Sequence, residues 1–189
     1  LSNQEEGMRV LYMGVLLDPR HRRNARKVRD YLKEKGDQER YLAILEKEIE
    51  FLQGQGQDRR ALAQLHQEVG MLLARSEENA EAAVTHLKTA CAMDPSLSDA
   101  SALIAEIYLT AKNYEEALPY LLGELKTVRD PAQRAQKLAL IGKIQLDHKR
   151  EPETAEATLQ EALGLAPDNM EILNLLTEVY LDRRYPKEK

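Results

Sequence analysis

Four small residues recur along this chain at nearly constant spacing, and this repeat constrains the fold more than any other feature. Gly70, Ala105, Gly142 and Thr177 are separated by 35, 37 and 35 residues. Each lies in a stretch with apolar residues at helical spacing, as in LHQEVGMLL and LALIGKIQL. A period of this length is typical of solenoid proteins, in which every repeat is one supersecondary unit. We therefore predict a stack of similar helical units.

A second set of aligned residues follows about twelve residues after the first three small residues, a spacing that leaves room for a turn and a second helix. Its members are Ala83, Ala117 and Ala155, each followed four residues later by a leucine, Leu87, Leu121 or Leu159. Two antiparallel helices approach closely only where a small side chain lets one backbone settle against bulky residues of the other. Pro95 and Pro167 come just after this second stretch, where proline cannot continue a helix. Each unit is thus predicted to be a hairpin that buries its apolar face against its neighbours.

This pattern resembles the tetratricopeptide repeat family, whose unit of about 34 residues has a small residue in its first helix and an alanine in its second. The match is best in residues 98–131, at Ala105, Tyr108, Tyr114, Ala117 and Leu121. The resemblance covers most of residues 20–184. It implies an all-α fold, an α-solenoid of antiparallel helix hairpins that twist into a right-handed superhelix, with about ten helices in this chain.

The repeats are less regular at two turns and before residue 58. LARSEENAEAA and DHKREPETAEA each carry one extra residue in the turn, and Gly54 and Gly56 predict a looser link. Earlier in the chain, a half unit precedes a hairpin with its turn at residues 36–37, in which Arg29 takes the place of the small residue and Tyr41 that of the alanine.

We therefore divide one continuous solenoid into residues 1–56, with the degenerate half unit and hairpin, and residues 57–189, with three repeats and the first helix of another. Neither end resembles a capping repeat, so we expect a segment of a longer protein.

Few residues point to covalent chemistry. Cys91 is the single cysteine, which excludes an internal disulfide and a thiolate metal cluster and fits a reducing compartment such as the cytoplasm. The four histidines have no second ligand three or four residues away, so we predict that they pack or face solvent. No apolar run approaches the roughly 20 residues that span a bilayer, and no amino-terminal signal is present. Because no nucleophile, base and orienting group recur together, we predict no enzyme activity, metal or cofactor.

The charge run RHRRNARKVR, residues 20–29, contains six arginines or lysines and no acid, although the formal charge of the whole chain is -5. Opening a helix with so many cations opposes the helix dipole. Two interpretations stay open: a solvated face balanced by Asp30, Glu34 and Asp37, or a cationic patch for acidic peptide, phosphate or nucleic acid. Nucleic acid is the weaker option, because only Tyr31 is near enough to stack on bases.

The resemblance also implies a function, because in that family the first helices line an inner groove that holds extended peptides or partner helices. The residues that we expect to face this groove and bind a partner are Arg23, Arg26, Lys27, Asp30, Lys33, Gln67, Met71, Asp99, Glu106, Lys143, Asn174 and Glu178. The groove would run from basic to acidic and would favour a partner that is acidic where it meets the amino-terminal repeats. We predict a non-catalytic scaffold for a peptide or partner protein. The alternative is a structural spacer or self-assembly segment of a large multi-repeat protein.

Overall fold

The computed structural model describes residues 3–56 and 58–184, with the backbone alone for residues 182–184. This part of the chain forms ten α-helices and no strand, which confirms the predicted all-α class. The helices are α1 (Asn3–Leu17), α2 (Arg22–Lys35), α3 (Gln38–Gln55), α4 (Arg59–Leu73), α5 (Ala80–Met93), α6 (Ser98–Thr110), α7 (Tyr114–Glu124), α8 (Pro131–Ile144), α9 (Pro152–Leu165) and α10 (Met170–Arg184). None of these helices is both long enough and apolar enough to cross a membrane.

The chain divides into two compact units, Leu1–Ala100 and Ser101–Lys189. In the first unit each of the helices α1 to α4 packs against the next, around a core that includes Val28, Ile44 and Val69. In the second unit α7 packs on α8, α8 on α9 and α9 on α10, around a core that includes Ile141 and Leu159. The division that we predict at residue 56 rests on how closely the sequence follows the repeat and not on packing between helices, so it stays a prediction.

The small residues of the repeat lie where the helices of a hairpin cross. In the first unit, a Cβ atom placed on Gly70 of α4 would lie 2.5 Å from Cγ of Leu87 in α5. In the second unit, a Cβ atom on Gly142 of α8 would lie 2.6 Å from Cγ of Leu159 in α9. Because carbon atoms do not approach so closely, the backbones can come together only at glycine. Thr177, at the same position of α10, is exposed, since no second helix follows α10 in the described residues.

The predicted turn at residues 36–37 joins α2 to α3. Gly36 ends α2 with a φ of 70°, a left-handed conformation that glycine adopts without strain. Asp37 then caps α3, because its side chain accepts a hydrogen bond from the backbone N–H of Arg40. The α2–α3 hairpin therefore has a normal turn although its packing residues are unusual.

The two turns with an extra residue differ in how they accommodate it. Residues Glu77–Asn79 form a short 3₁₀ helix before α5. After α8 the chain instead widens into one π-helical turn, Gln145–Lys149, and Arg150 reverses it with a φ of 54°. In both cases the small residue of the first helix still meets the leucine of the second.

Candidate functional site

A network of charged side chains occupies the crossing of α2, α3 and α4, where other repeats place small residues. Nε of Arg29 lies 3.2 Å from Oε2 of Glu48 on α3, and Nη1 of Arg29 lies 3.2 Å from Oε2 of Glu68 on α4. The hydroxyl of Tyr41 donates a hydrogen bond to Oε1 of Glu68, and Nζ of Lys33 lies 3.8 Å from the same oxygen. Two cations are therefore paired with two carboxylates, of which Glu48 is the more buried, whereas Lys33 is exposed.

Burial affects the ionisation of this network. Desolvation raises the pKa of Glu48, and the charge of Arg29 opposes that rise. Burial first, and then the hydrogen bond to Glu68, raises the pKa of Tyr41, so its hydroxyl stays a neutral donor. Nε of Arg29 and Oε2 of Glu48 are both buried and are oriented for ion pairing without a hydrogen bond. Among the described residues Glu48 forms an ion pair with Arg29 alone, so its charge depends on Arg29 for compensation.

Sequence reasoning identified Arg29 and Tyr41 as departures from the repeat but missed their acidic partners. The signal was present in α3, whose buried face has apolar or aromatic residues at helical spacing except for Glu48. An acid in an otherwise apolar stripe indicates a buried counter-charge. That counter-charge is Arg29.

One row of α2 carries four cations and faces α4. Nη1 of Arg22 lies 3.2 Å from Oδ2 of Asp58, the residue that caps α4. Arg29 and Lys33, on the same row, both reach Glu68. Residues four, seven and eleven positions apart share one helix face, so Arg26 lies on this row between Arg22 and Arg29. Arg26 is exposed and forms no ion pair with a described residue, so it is the cation of the row that is left available.

A cleft opens at the carboxyl end of this row, between α2 and α4. Its volume is about 210 Å³. The residues that shape it include Leu32, Lys33, Tyr41, Glu68, Met71 and Arg75. Pockets for drug-sized ligands start at roughly 300 Å³, so this cleft suits one side chain better than a whole small molecule.

The structure leaves nearly all the predicted groove residues accessible. Gln67 is half-buried, and the exposed ones are Arg23, Arg26, Lys27, Asp30, Lys33, Met71 and Asp99 in the first unit and Glu106, Lys143, Asn174 and Glu178 in the second. Lys33 and Met71 come together at the cleft. Helix geometry places Arg23, Lys27 and Asp30 further round α2, away from the row that contacts α4. Their part in binding stays a prediction.

His66 and His86 form a second polar feature, between α4 and α5. Their Nδ1 atoms are 3.0 Å apart, and His66 is only 6% exposed. At this distance one imidazole donates to the other, which requires the accepting ring to be neutral. Burial lowers the pKa of both rings; the charge of His86 adds to the effect on His66, whereas Glu46 of α3 opposes it on His86. In the described part of the chain, no three metal-ligating side chains come together.

We expect the His66–His86 pair to make stability depend on pH. Because both pKa values are lowered on folding, the unfolded chain binds protons more readily, and stability is lost as the pH falls below the unfolded value of about 6.5. Urea unfolding at pH 7.5 and 5.5 should show a smaller decrease on acidification for the double variant His66→Gln/His86→Gln than for the unsubstituted chain. His21→Gln, at an exposed position, is the control and should keep the full decrease. An unchanged decrease in the double variant would exclude this source of pH dependence.

Solved structures with a similar arrangement of helices identify the fold. MamA residues 41 to the end, from Desulfovibrio magneticus RS-1, is 21% identical, covers 85% of this chain and 84% of its own, and superposes with a TM-score of 0.54. YrrB, described as a TPR protein with an unusual peptide-binding site, is 18% identical, covers 90% of this chain and 81% of its own, and has a TM-score of 0.55. The chain has the tetratricopeptide repeat fold. Identities this low establish the fold alone, and no protein-family model and no curated protein matches the sequence.

Within the tetratricopeptide repeat fold, the position of each helix in its unit follows from the crossings. Gly70 and Gly142 place α4 and α8 as first helices, and Leu87 and Leu159 place α5 and α9 as second helices. By the same alternation α2 is a first helix and α3 a second one. The cationic row and the cleft therefore lie between two successive first helices.

Proposed function

We propose that this chain is a non-catalytic scaffold that binds a peptide, or an extended segment of a partner protein, on its first helices. The observation that carries the proposal is the groove between α2 and α4, where a row of cations, with Arg26 exposed, leads to an open cleft. YrrB, with the same fold, is described as having a peptide-binding site, and the proposal extends that kind of activity to this chain.

The electrostatics of the groove favour an acidic ligand. Arg26 is joined on the exposed surface of α2 by Arg23 and Lys27, and none of the three forms an ion pair with a described residue. Exposed cations without counter-charges attract acidic segments and speed their association. These cations therefore support the prediction of a partner that is acidic where it meets the amino-terminal repeats. In the second unit, Glu106 and Lys143 are among the predicted contacts.

Titration of the 189-residue chain with peptides selected from a random library tests this function. We expect binding of one peptide per chain, and at least a tenfold loss of affinity in the variant Arg23→Glu/Arg26→Glu/Lys27→Glu, because each reversal replaces an attraction by a repulsion. The matched control reverses three exposed cations of the second unit, Lys112, Lys126 and Arg129, and should bind as the unsubstituted chain does. The proposal fails if no selected peptide binds, or if both triple variants lose affinity equally.

The second candidate function, self-assembly, is favoured by exposed apolar side chains. Leu17 of α1 is 84% exposed, and Val10 lies on the same face. Met170 of α10 is 66% exposed, whereas Ala135, at the equivalent position of α8, is buried in the core of the second unit. Apolar faces of this kind often mark contacts between protein chains. Sedimentation velocity should then show a mass that rises with protein concentration, and Leu17→Lys should abolish this rise. A mass that stays constant from about 1 to about 100 μM would exclude self-assembly, because typical specific complexes have dissociation constants below this range.

A further inference from the structure

We infer that the groove between α2 and α4 recognises a short motif in an extended acidic peptide: one apolar side chain that fills the cleft, and one acidic side chain about three residues away that pairs with Arg26. The inference rests on the proposed function and specifies its ligand. It follows from the side chains that line the cleft, from which cation of the row on α2 is free, and from the distance between that cation and the cleft.

The cleft has apolar residues that can contact an apolar side chain, beside the polar residues Asp37, Gln38 and Arg75. Leu32 and Tyr41, both buried, line the cleft, and Met71, half exposed, is a flexible residue that adapts to different shapes. Glu68 also lines the cleft, but Arg29, Lys33 and the Tyr41 hydroxyl already satisfy its carboxylate. A cationic ligand group would therefore compete with existing partners. An apolar side chain would gain by burial without breaking the network.

Arg26 is the place for the acidic side chain. The other three cations of its row each have a carboxylate within 4 Å: Asp58 for Arg22, and Glu68 for Arg29 and Lys33. Asp30, one turn after Arg26, is exposed and outside ion-pair distance. A guanidinium group binds a carboxylate through two parallel hydrogen bonds, so an acidic residue of the ligand can make a well-defined contact here.

The spacing of the motif follows from helix geometry. Arg26 and Lys33, which marks the cleft, are seven residues apart on α2. At about 1.5 Å per residue this is roughly 10 Å along the helix axis. An extended peptide covers about 3.3 Å per residue, so roughly three residues span the same distance. Arg23 is on the same helix with the same charge but off this row, which makes it a matched control.

The test uses synthetic peptides of twelve residues with one leucine and one glutamate in a glycine and serine background, and the glutamate is placed at each distance from the leucine. The affinity of the 189-residue chain is measured for every peptide, with the peptide attached to a surface. We expect at least fivefold stronger binding when the glutamate is three positions from the leucine than when it is one or seven positions away, and loss of binding when serine replaces leucine. Arg26→Glu should remove the preference for this spacing, Arg23→Glu should keep it, and Met71→Glu should weaken every leucine peptide.

The outcomes separate the motif from the function. Equal binding at all spacings, or equal effects of Arg26→Glu and Arg23→Glu on the preference for one spacing, overturns the motif; a general loss of affinity in Arg23→Glu does not, because Arg23 is one of the exposed cations of α2. If peptides selected from the random library still bind in that case, the proposed function stands with a different ligand. If those selected peptides do not bind either, both the function and the motif are wrong.

Discussion

A Gly142→Val variant is expected to lose about 1–3 kcal/mol of unfolding free energy, the usual cost of forcing extra carbon atoms into a packed interface. The first added atom already lies 2.6 Å from Cγ of Leu159, which is the branch point of that side chain and is fully buried. Leu159 therefore cannot simply rotate away, and α8 and α9 must separate. Urea unfolding followed by circular dichroism measures the loss.

Gly164→Val is the matched control for this prediction. Gly164 lies on α9 in the same unit, and a Cβ atom there would meet nothing within 4 Å. Because valine has a higher helix propensity than glycine, we expect this variant to be unchanged or stabilised by a few tenths of a kcal/mol. If the two variants unfold at the same urea concentration, close backbone contact at Gly142 is not what holds the hairpin together.

An Arg29→Ala variant is expected to lose about 3 kcal/mol of unfolding free energy. This is at the low end of the cost of breaking a buried ion pair, because the arginine side chain is 24% exposed. The loss comes mainly from Glu48, which stays buried without a counter-charge. Glu68 is affected less, since Lys33 and Tyr41 still contact it. Urea unfolding again gives the magnitude.

A double variant distinguishes this mechanism from simple loss of side-chain packing. In Arg29→Leu/Glu48→Leu both charges are replaced by apolar groups, and removing a buried pair together is often nearly neutral. We therefore expect the double variant to recover more than half of the unfolding free energy that Arg29→Ala loses. A double variant as unstable as the single one would show that the pairing of Arg29 with Glu48 contributes little.

The close helix crossings could be predicted from the sequence because they depend on short-range regularity. Gly70 and Gly142 recur with the repeat, and their partners Leu87 and Leu159 lie on the next helix in the chain. Steric exclusion leaves few residue types at such a contact. Thr177, at the same position, is exposed, because no second helix follows α10 in the described residues.

The charge network and the histidine pair could be predicted only in part. Arg29 was recognised as a misfit, but its partner Glu68 is 39 residues away, on a helix of the next repeat. His66 and His86 are 20 residues apart on facing helices. Side-chain pairing between helices depends on their rotation and sliding, which hydrophobic spacing does not specify to within one turn. For the binding groove, the sequence indicated an excess of cations. Only the contacts of Arg22, Arg29 and Lys33 with α4 showed which row of α2 faces it, and Arg26 is on that row whereas Arg23 is not.

The π-helical turn at Gln145–Lys149 has a consequence for how such repeats vary in length. The additional residue enters the corner between α8 and α9, and Gly142 still faces Leu159. Insertions at hairpin corners therefore leave the contact surfaces intact, whereas an insertion inside a helix would rotate every later side chain by about 100°, as 3.6 residues per turn requires. Corners of this kind are where natural sequence drift, or an engineered label, can lengthen the chain and leave its packing undisturbed.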